Sequence, residues 1–167
     1  MSTIKSDLLE GFKAEHEQLD AGITRLTETL DRLARGVDSA LLRALADSDR
    51  FLQRVLVPHA EWEELTFYPA VRDVLRTHGD VNAAMLIDHR EIVARIQAFA
   101  ALVRRLEAGE RDPELLDRAR ILGYQIRALV EVHYRKEEEI YCDLIRRYLS
   151  DREAPSALAV GDQLGHD

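Results

Sequence analysis

Apolar residues recur every three or four positions along most of the chain, which is the period of a helix with one buried face. The first such run predicts a helix over residues 6–35, and its positions are Ile4, Leu8, Phe12, Leu19, Ile23, Leu26, Leu30 and Leu33. Gly36 is suited to end this helix, and Asp38 or Ser39 to cap the next one. The second run predicts a helix over residues 39–76, marked by Leu41, Leu45, Leu52, Val55, Trp62 and Ala70.

Proline shapes the second helix and helps to place the fourth. Pro58 and Pro69 each remove a backbone donor, so we expect the second helix to bend there. A turn over residues 77–80 precedes a third apolar run, whose positions are Val81, Met85, Ile92, Ile96, Phe99, Val103 and Leu106. The sequence Asp112-Pro113-Glu114 is typical of a helix start, and the fourth helix then continues to about residue 149.

Four long helices with short turns predict an all-α fold, an up-down-up-down antiparallel four-helix bundle. We expect residues 1–149 to form this one domain. Residues 150–167 have no apolar period and are expected to form a flexible C-terminal tail without chemistry.

Composition narrows the class of partner. The 167 residues carry a net charge of −8, which disfavours binding to nucleic acid and to anionic membrane surfaces. Apolar stretches are too short to span a membrane. A single cysteine, Cys142, and an N-terminal segment unlike a signal peptide make a cytoplasmic location the expectation.

Histidine occurs where a helical core should be apolar. Four of the six histidines fall in register with the apolar stripes, one on each helix, and they are His16, His59, His89 and His133. Two of them have a glutamate one turn later on the same face, Glu63 and Glu137. Since about three positions in seven face a core, six polar residues would all do so by chance in under about 1% of cases.

The spacing also brings these histidines to one level of the bundle. The midpoint of positions 16 and 59 and that of positions 89 and 133 both fall in predicted turns, whereas positions 59 and 89 miss their turn by about one helical turn. The chain repeats internally at 73 to 74 residues, and HAEWEELTFYP is similar to HYRKEEEIYCD. Two related helix pairs therefore form the bundle.

Four imidazoles and two carboxylates in an apolar interior need a partner, because unpaired polar burial costs several kcal/mol. Imidazole with carboxylate suits iron, zinc, manganese or copper, and glutamates on facing helices can each bridge two ions. The sequence therefore predicts a dinuclear metal site whose ligands are His16, His59, Glu63, His89, His133 and Glu137.

The same residues resemble the hemerythrin-like family, also called HHE cation-binding domains, over about residues 8–149. AEHEQLD and IDHREIV are similar to the family's single-histidine helices, and HAEWEELTFYP to its His-x3-Glu-Glu helix. The resemblance implies two non-haem iron ions, oxo- or hydroxo-bridged, with Glu63 and Glu137 bridging and the histidines as caps. Zinc or manganese is the less expected metal. The ligand implied is dioxygen, peroxide or nitric oxide, and weak peroxidase, catalase-like or nitric-oxide chemistry stays open.

Two departures from the oxygen carriers of that family matter. Carriers place a second histidine on the third helix, where Met85 and Val93 stand here, so one metal is a ligand short and sensing, redox chemistry or iron handling is favoured over reversible oxygen carriage. Carriers also place the fourth-helix carboxylate five residues after histidine, so Glu138 competes with Glu137 as the bridge. The chain is similar, too, to the di-iron domain of iron–sulfur-cluster repair proteins.

Three other functions compete with an oxidant-binding iron site. The same ligands allow a metal-binding module without turnover, such as iron storage or a zinc-stabilised interaction domain. A phosphotransfer domain would use His133 with Lys136, but it needs an exposed histidine. A plain bundle with satisfied histidines is the third alternative. No histidine has a glutamate three residues before it, which excludes the ferritin-like pattern.

Several further side chains lie near the predicted ligands. An apolar wall is expected from Phe12, Leu19, Trp62, Met85 and Ile92, and one vacant metal position could be filled by Tyr68, Tyr134 or Tyr141. A carboxylate beyond the ligands could accept the distal N–H of a histidine, the candidates being Glu61, Glu64, Glu138 and Glu139. Cys142 is expected to be a buried or half-buried thiol without a redox role, because no neighbouring residue lowers its pKa. Oligomeric state is not predicted.

Overall fold

A computed structural model of the protein describes residues 4–33, 35–74, 82–150 and 152. Four long helices account for nearly all of these residues, and no strand occurs among them. The helices are α1 (Ile4–Leu33), α2 (residues 39–74), α3 (Ala83–Glu107) and α4 (residues 113–148). The predicted turn at 77–80 lies outside the described residues, as do residues 151 and 153–167 of the predicted tail.

Side-chain caps and glycines set the helix ends. Asp38 accepts a hydrogen bond from the backbone N–H of Leu41 at 2.6 Å, which satisfies a free donor at the start of α2. Asp112 does the same for the N–H of Glu114 at 2.9 Å, ahead of Pro113. After α1 and α3 the chain turns at a glycine with a left-handed backbone, and these are Gly36 (φ +116°) and Gly109 (φ +97°).

Both α2 and α4 contain π-helical turns. These turns are Leu52–Leu56 and Glu63–Phe67 in α2 and Glu137–Tyr141 in α4. Pro58 and Pro69 each stand two residues after a π turn. The wider hydrogen-bond pattern of a π turn accommodates the lack of a backbone N–H in proline. A π turn thus ends two residues before each of the prolines at which a bend was predicted. The turn in α4 contains no proline, so proline is not the common cause.

The π turns shift the buried face of α2. Each turn adds one residue to the helical ladder, so the apolar stripe continues one position later than a regular period predicts. Beyond Glu63 the buried positions are Phe67, Tyr68 and Val71, while Trp62 from the predicted stripe is only half-buried. The side chain of Ala70 lies outside the described part of the chain.

The helices pack in a closed antiparallel bundle, in which each contacts the next along the chain and α1 also contacts α4. Its interior has two apolar clusters. One contains Leu19, Leu56, Ile92 and Val130, and the other contains Phe12, Phe67, Met85 and Tyr141. On every helix the predicted ligands fall between these two clusters, so the bundle has a polar layer enclosed by apolar ones. None of the described helices is long and apolar enough to cross a membrane.

Candidate metal centre

The six predicted ligands meet in this polar layer. None of the four histidines is more than 4% exposed, and both glutamates are completely buried. The set divides into two overlapping groups whose nitrogen and oxygen atoms lie within 4.8 Å of one another, and these are His16 with His59 and Glu63, and His89 with His133, Glu63 and Glu137. The mismatch at the second turn does not separate His59 from His89, because both contact Glu63.

Glu63 lies between the two histidine pairs. Its Oε1 atom is 3.0 Å from Nε2 of His59 and 3.7 Å from Nε2 of His16. Its Oε2 atom is 3.2 Å from Nε2 of His89 and 3.8 Å from Nε2 of His133. One carboxylate thus presents one oxygen to each pair, which is the arrangement that a bridging ligand requires.

Glu137 occupies a corresponding position from α4. Its Oε2 atom is 3.4 Å from Nε2 of His16 and 3.5 Å from Nε2 of His133, so it too contacts a histidine of each pair. Its Oε1 atom accepts a hydrogen bond from the Tyr68 hydroxyl at 2.6 Å. That hydroxyl also lies 3.2 Å from Nε2 of His89 and 3.4 Å from Nε2 of His133, inside the second group.

Each histidine presents its other nitrogen to a carboxylate outside the cluster. The Nδ1 pairs are His16 with Glu138 (3.0 Å), His59 with Glu15 (3.1 Å), His89 with Glu64 (2.9 Å) and His133 with Asp88 (3.5 Å). A proton held on Nδ1 leaves the lone pair on Nε2, which faces the centre of the cluster. Carboxylates in this position orient metal-binding histidines and raise their basicity.

Within the part of the chain that the structure describes, several buried polar atoms of the cluster have no partner in hydrogen-bond geometry. They are Nε2 of His16, Nε2 of His59, both oxygens of Glu63 and Oε2 of Glu137. Buried polar groups are nearly always satisfied, so a set of lone pairs converging on one point calls for a positive partner. Imidazole nitrogens and carboxylate oxygens are donors that a divalent or trivalent transition metal accepts, and the residues therefore fit metal ions.

The pKa values of the two cluster glutamates shift in opposite directions. Burial raises the pKa of Glu63, but the neighbouring His59, His133 and His16 outweigh burial and hold that pKa well below its usual range. Burial and the adjacent Glu63 carboxylate raise the pKa of Glu137 well above its usual range. Two carboxylates enclosed together resist a second negative charge, which a bound cation would compensate.

His59 and His133 differ in their electrostatic surroundings. Burial lowers the pKa of His59, but the Glu63 and Glu15 carboxylates outweigh it and raise that pKa to about 9. Burial dominates at His133 and lowers its pKa below the ordinary value. The surroundings of His59 are therefore more strongly negative than those of His133.

Comparison with protein families identifies the chain. The profile of the hemerythrin HHE cation-binding domain matches residues 7–141. The chain belongs to this family. A comparison with curated proteins gave no match. The HHE domain is a cation-binding domain, and its all-α bundle agrees with the fold predicted from the apolar period.

The geometry of this HHE domain distinguishes Glu137 from Glu138. Glu137 is buried among the histidines, whereas the side chain of Glu138 is 34% exposed and contacts Nδ1 of His16 from outside. On the third helix, Met85 packs in the apolar cluster and Val93 lines a surface groove. Neither side chain has a nitrogen or oxygen atom that could bind a metal. The Tyr68 hydroxyl lies beside His89 instead.

Two of the four outer carboxylates were not among the sequence candidates. Glu64 and Glu138 were candidates, but Glu15 and Asp88 were not, and Glu61 and Glu139 are exposed. A regularity in the sequence could have found them. Two outer carboxylates directly precede a histidine of the first or third helix, and the other two directly follow Glu63 or Glu137. The members of each kind are separated by the internal repeat of 73 to 74 residues.

Aromatic rings close the polar layer of the HHE domain. Tyr134 stacks on His16 with ring centroids 4.1 Å apart, and Phe12 lies against the same imidazole at 4.4 Å. Tyr141 packs against the ring of Tyr68. These contacts limit the access of water to the ligands, and Tyr68 is the tyrosine whose hydroxyl contacts the cluster.

Proposed function

We propose that this HHE domain binds two iron ions and binds, senses or reacts with a small oxidant, namely dioxygen, peroxide or nitric oxide. The observation that carries the proposal is that Glu63 and Glu137 each contact a histidine of both pairs. A carboxylate shared in this way suits a dinuclear centre, and histidine with carboxylate suits iron that changes oxidation state. When bound, the iron would supply the redox chemistry, and the chain would supply its ligands and a dry surrounding.

The chain's own residues support an open position at the His89 and His133 pair. Tyr68 offers a weak oxygen donor there, in place of the second imidazole of the oxygen carriers. A surface groove between α2 and α3 reaches His89 and offers a route from solvent to this pair. Its walls combine the small Ala60 and Ala94 with the charged Glu61, Glu64 and Arg90. The proposal includes a cytoplasmic location and no nucleic-acid or membrane partner.

The test is a titration of the iron-loaded protein with azide, hydrogen peroxide and nitric oxide, followed by absorption spectroscopy. We expect new charge-transfer bands with each ligand that binds iron. Tyr68→Phe retains the ring and removes the oxygen, so it should change the spectrum and the affinity for azide. A loaded protein that ignores all three ligands would contradict the proposal.

A metal-binding module without turnover is the second candidate, and the burial of all four histidines favours it. Such a module would hold zinc or iron for stability or storage, and it would bind metal without any spectral response to the oxidants. Peroxide consumption in the same titration separates weak peroxidase or catalase-like activity from binding alone. Phosphotransfer is disfavoured, because His133 is only 2% exposed.

A further inference from the structure

Lys136 and Asp88 form an ion pair beside the cluster. Nζ of Lys136 lies 2.6 Å from Oδ2 of Asp88, and the pair joins α4 to α3. The two side chains are half-buried, with 34% and 19% of their surface exposed. The same Oδ2 atom faces Nδ1 of His133. One carboxylate oxygen is therefore shared between an ammonium group and a histidine of the cluster.

This sharing sets His133 apart from the other three histidines. Its Nδ1 contact is 3.5 Å long, at the limit of a hydrogen bond, whereas the other three contacts measure 2.9 to 3.1 Å. Among the described residues, the outer carboxylates Glu15, Glu64 and Glu138 form no ion pair with a lysine or arginine. The long contact coincides with the one carboxylate held by a cation.

The internal repeat shows that this cation belongs to one half of the bundle only. Asp88 and His133 correspond to Glu15 and His59 in the first half. Lys136 corresponds to Trp62, since both follow their histidine by three residues. The first half therefore has the same carboxylate and histidine without a competing ammonium group.

We infer that Lys136 is a positioning residue that weakens the Asp88 contact to His133 and so makes the two metal positions unequal. A carboxylate that accepts a hydrogen bond from Nδ1–H makes Nε2 of the same imidazole a stronger metal ligand. An ammonium group on the same carboxylate oxygen reduces that effect. The position at His89 and His133 should then hold its metal less tightly than the position at His16 and His59. This inference rests on the proposed dinuclear centre.

The test measures the binding of Co²⁺, which reports its coordination by visible absorption and requires no oxidant. We expect two equivalents per chain with different Kd values. Lys136→Met should lower the Kd of the weaker equivalent by at least about threefold. The change should stay below the 10- to 100-fold effect that is typical of deleting an outer partner. Lys136→Arg keeps the charge and should match the wild type. Arg135→Met removes a neighbouring exposed charge that pairs with Glu139, and it is the matched control.

A double-mutant cycle separates action through Asp88 from the loss of a nearby positive charge. Asp88→Asn should weaken the same equivalent by about tenfold, and Lys136→Met should have no further effect in that background. Equal effects of Lys136→Met with and without Asp88 would overturn the inference, as would no change in either Kd. If Asp88→Asn does not fold, an unchanged Kd in Lys136→Met still overturns it. A wild-type protein that binds no Co²⁺ would instead remove the dinuclear centre itself.

Discussion

At the scale of single residues, the cluster depends on an inner layer and an outer layer of polar groups. The inner layer is the six predicted ligands, and the outer layer is the four carboxylates that contact Nδ1 of the histidines. The inner layer aims Nε2 atoms and carboxylate oxygens at a common centre, and the outer layer fixes each histidine through Nδ1. Of the outer carboxylates, Glu15 is the most enclosed at 8% exposed, and its contact to His59 is fully buried. A buried charge that contacts a ligand directly should affect metal binding more than an exposed one.

Glu15→Gln tests this outer layer. The substitution keeps the shape and a hydrogen-bond acceptor but removes the charge beside His59, so we expect Co²⁺ affinity to fall about tenfold. Isothermal titration calorimetry measures the change. Glu17→Gln removes an exposed charge two residues away and should leave the affinity unchanged. Equal affinity in both variants would show that Glu15 does not support the site.

Cys142 should be chemically inert in the folded protein. The residue is completely buried, and burial raises the pKa of its thiol to about 12. Thiolate is the reactive form, so at pH 8 alkylation by iodoacetamide should be about a thousandfold slower than in denaturant. Mass spectrometry of timed samples measures both rates. Rapid labelling under native conditions would contradict the burial of this side chain.

The inner layer could be predicted from sequence and the outer layer only in part. His16, His59, Glu63 and the other inner residues stand on apolar stripes, where a polar residue is conspicuous. Glu15 and Asp88 stand beside a stripe, among the many acidic residues of solvated helix faces. Whether such a side chain turns inward depends on the neighbouring helix, since Glu15 meets His59 on α2 and Asp88 meets His133 on α4.

At the scale of helices, the π turns determine what lies next to the cluster. Two of them begin at the cluster glutamates, Glu63 and Glu137. Each extra residue rotates the following turn, and in α2 this buries Phe67 and Tyr68 together. Apolar period alone predicts the helices and most of the core, but not a one-residue shift within a helix. Spacing could therefore name Tyr68 only as one of three candidate tyrosines, and the shift within α2 brings its hydroxyl to the cluster.

Close approach of α1 and α4 is tested at Gly123. A Cβ atom there would overlap Cδ1 of Leu30, whose side chain is completely buried and has little room to move. Gly123→Ala should therefore destabilise the protein by about 1–3 kcal/mol. Gly11→Ala is the control, because that position in α1 is open, and it should stabilise by about 0.5–1 kcal/mol. Urea unfolding of both variants gives the comparison, and a stabilised Gly123→Ala would contradict the packing.

At the scale of the whole molecule, a layer of polar groups separates two apolar clusters, and all four helices contribute to it. Metal binding should therefore link the helices and add to the free energy of unfolding. The all-α bundle followed from four amphipathic stretches and their short connections. The prediction that one polar layer joins the four helices followed from histidines at matched depth, despite the mismatch at the second turn.

Removal of metal should lower the melting temperature. A metal at 100 times its Kd stabilises the folded state by about 2.7 kcal/mol, which corresponds to about 5–10 °C for a chain of this size. Differential scanning calorimetry of loaded and chelated protein measures the shift. The variant His59→Ala/His133→Ala, which loses one ligand of each pair, should show no such response. Identical melting of the wild type with and without metal would argue against a shared centre.

The dinuclear centre is tested by the metal content per chain after anaerobic reconstitution with ferrous iron, measured together with the near-ultraviolet spectrum. We expect two iron ions per chain and, after oxidation, oxo-to-iron charge-transfer bands. Both should disappear in His59→Ala/His133→Ala. A wild-type protein that retains no metal after reconstitution would contradict the dinuclear centre and leave the six buried side chains as a polar layer of the core.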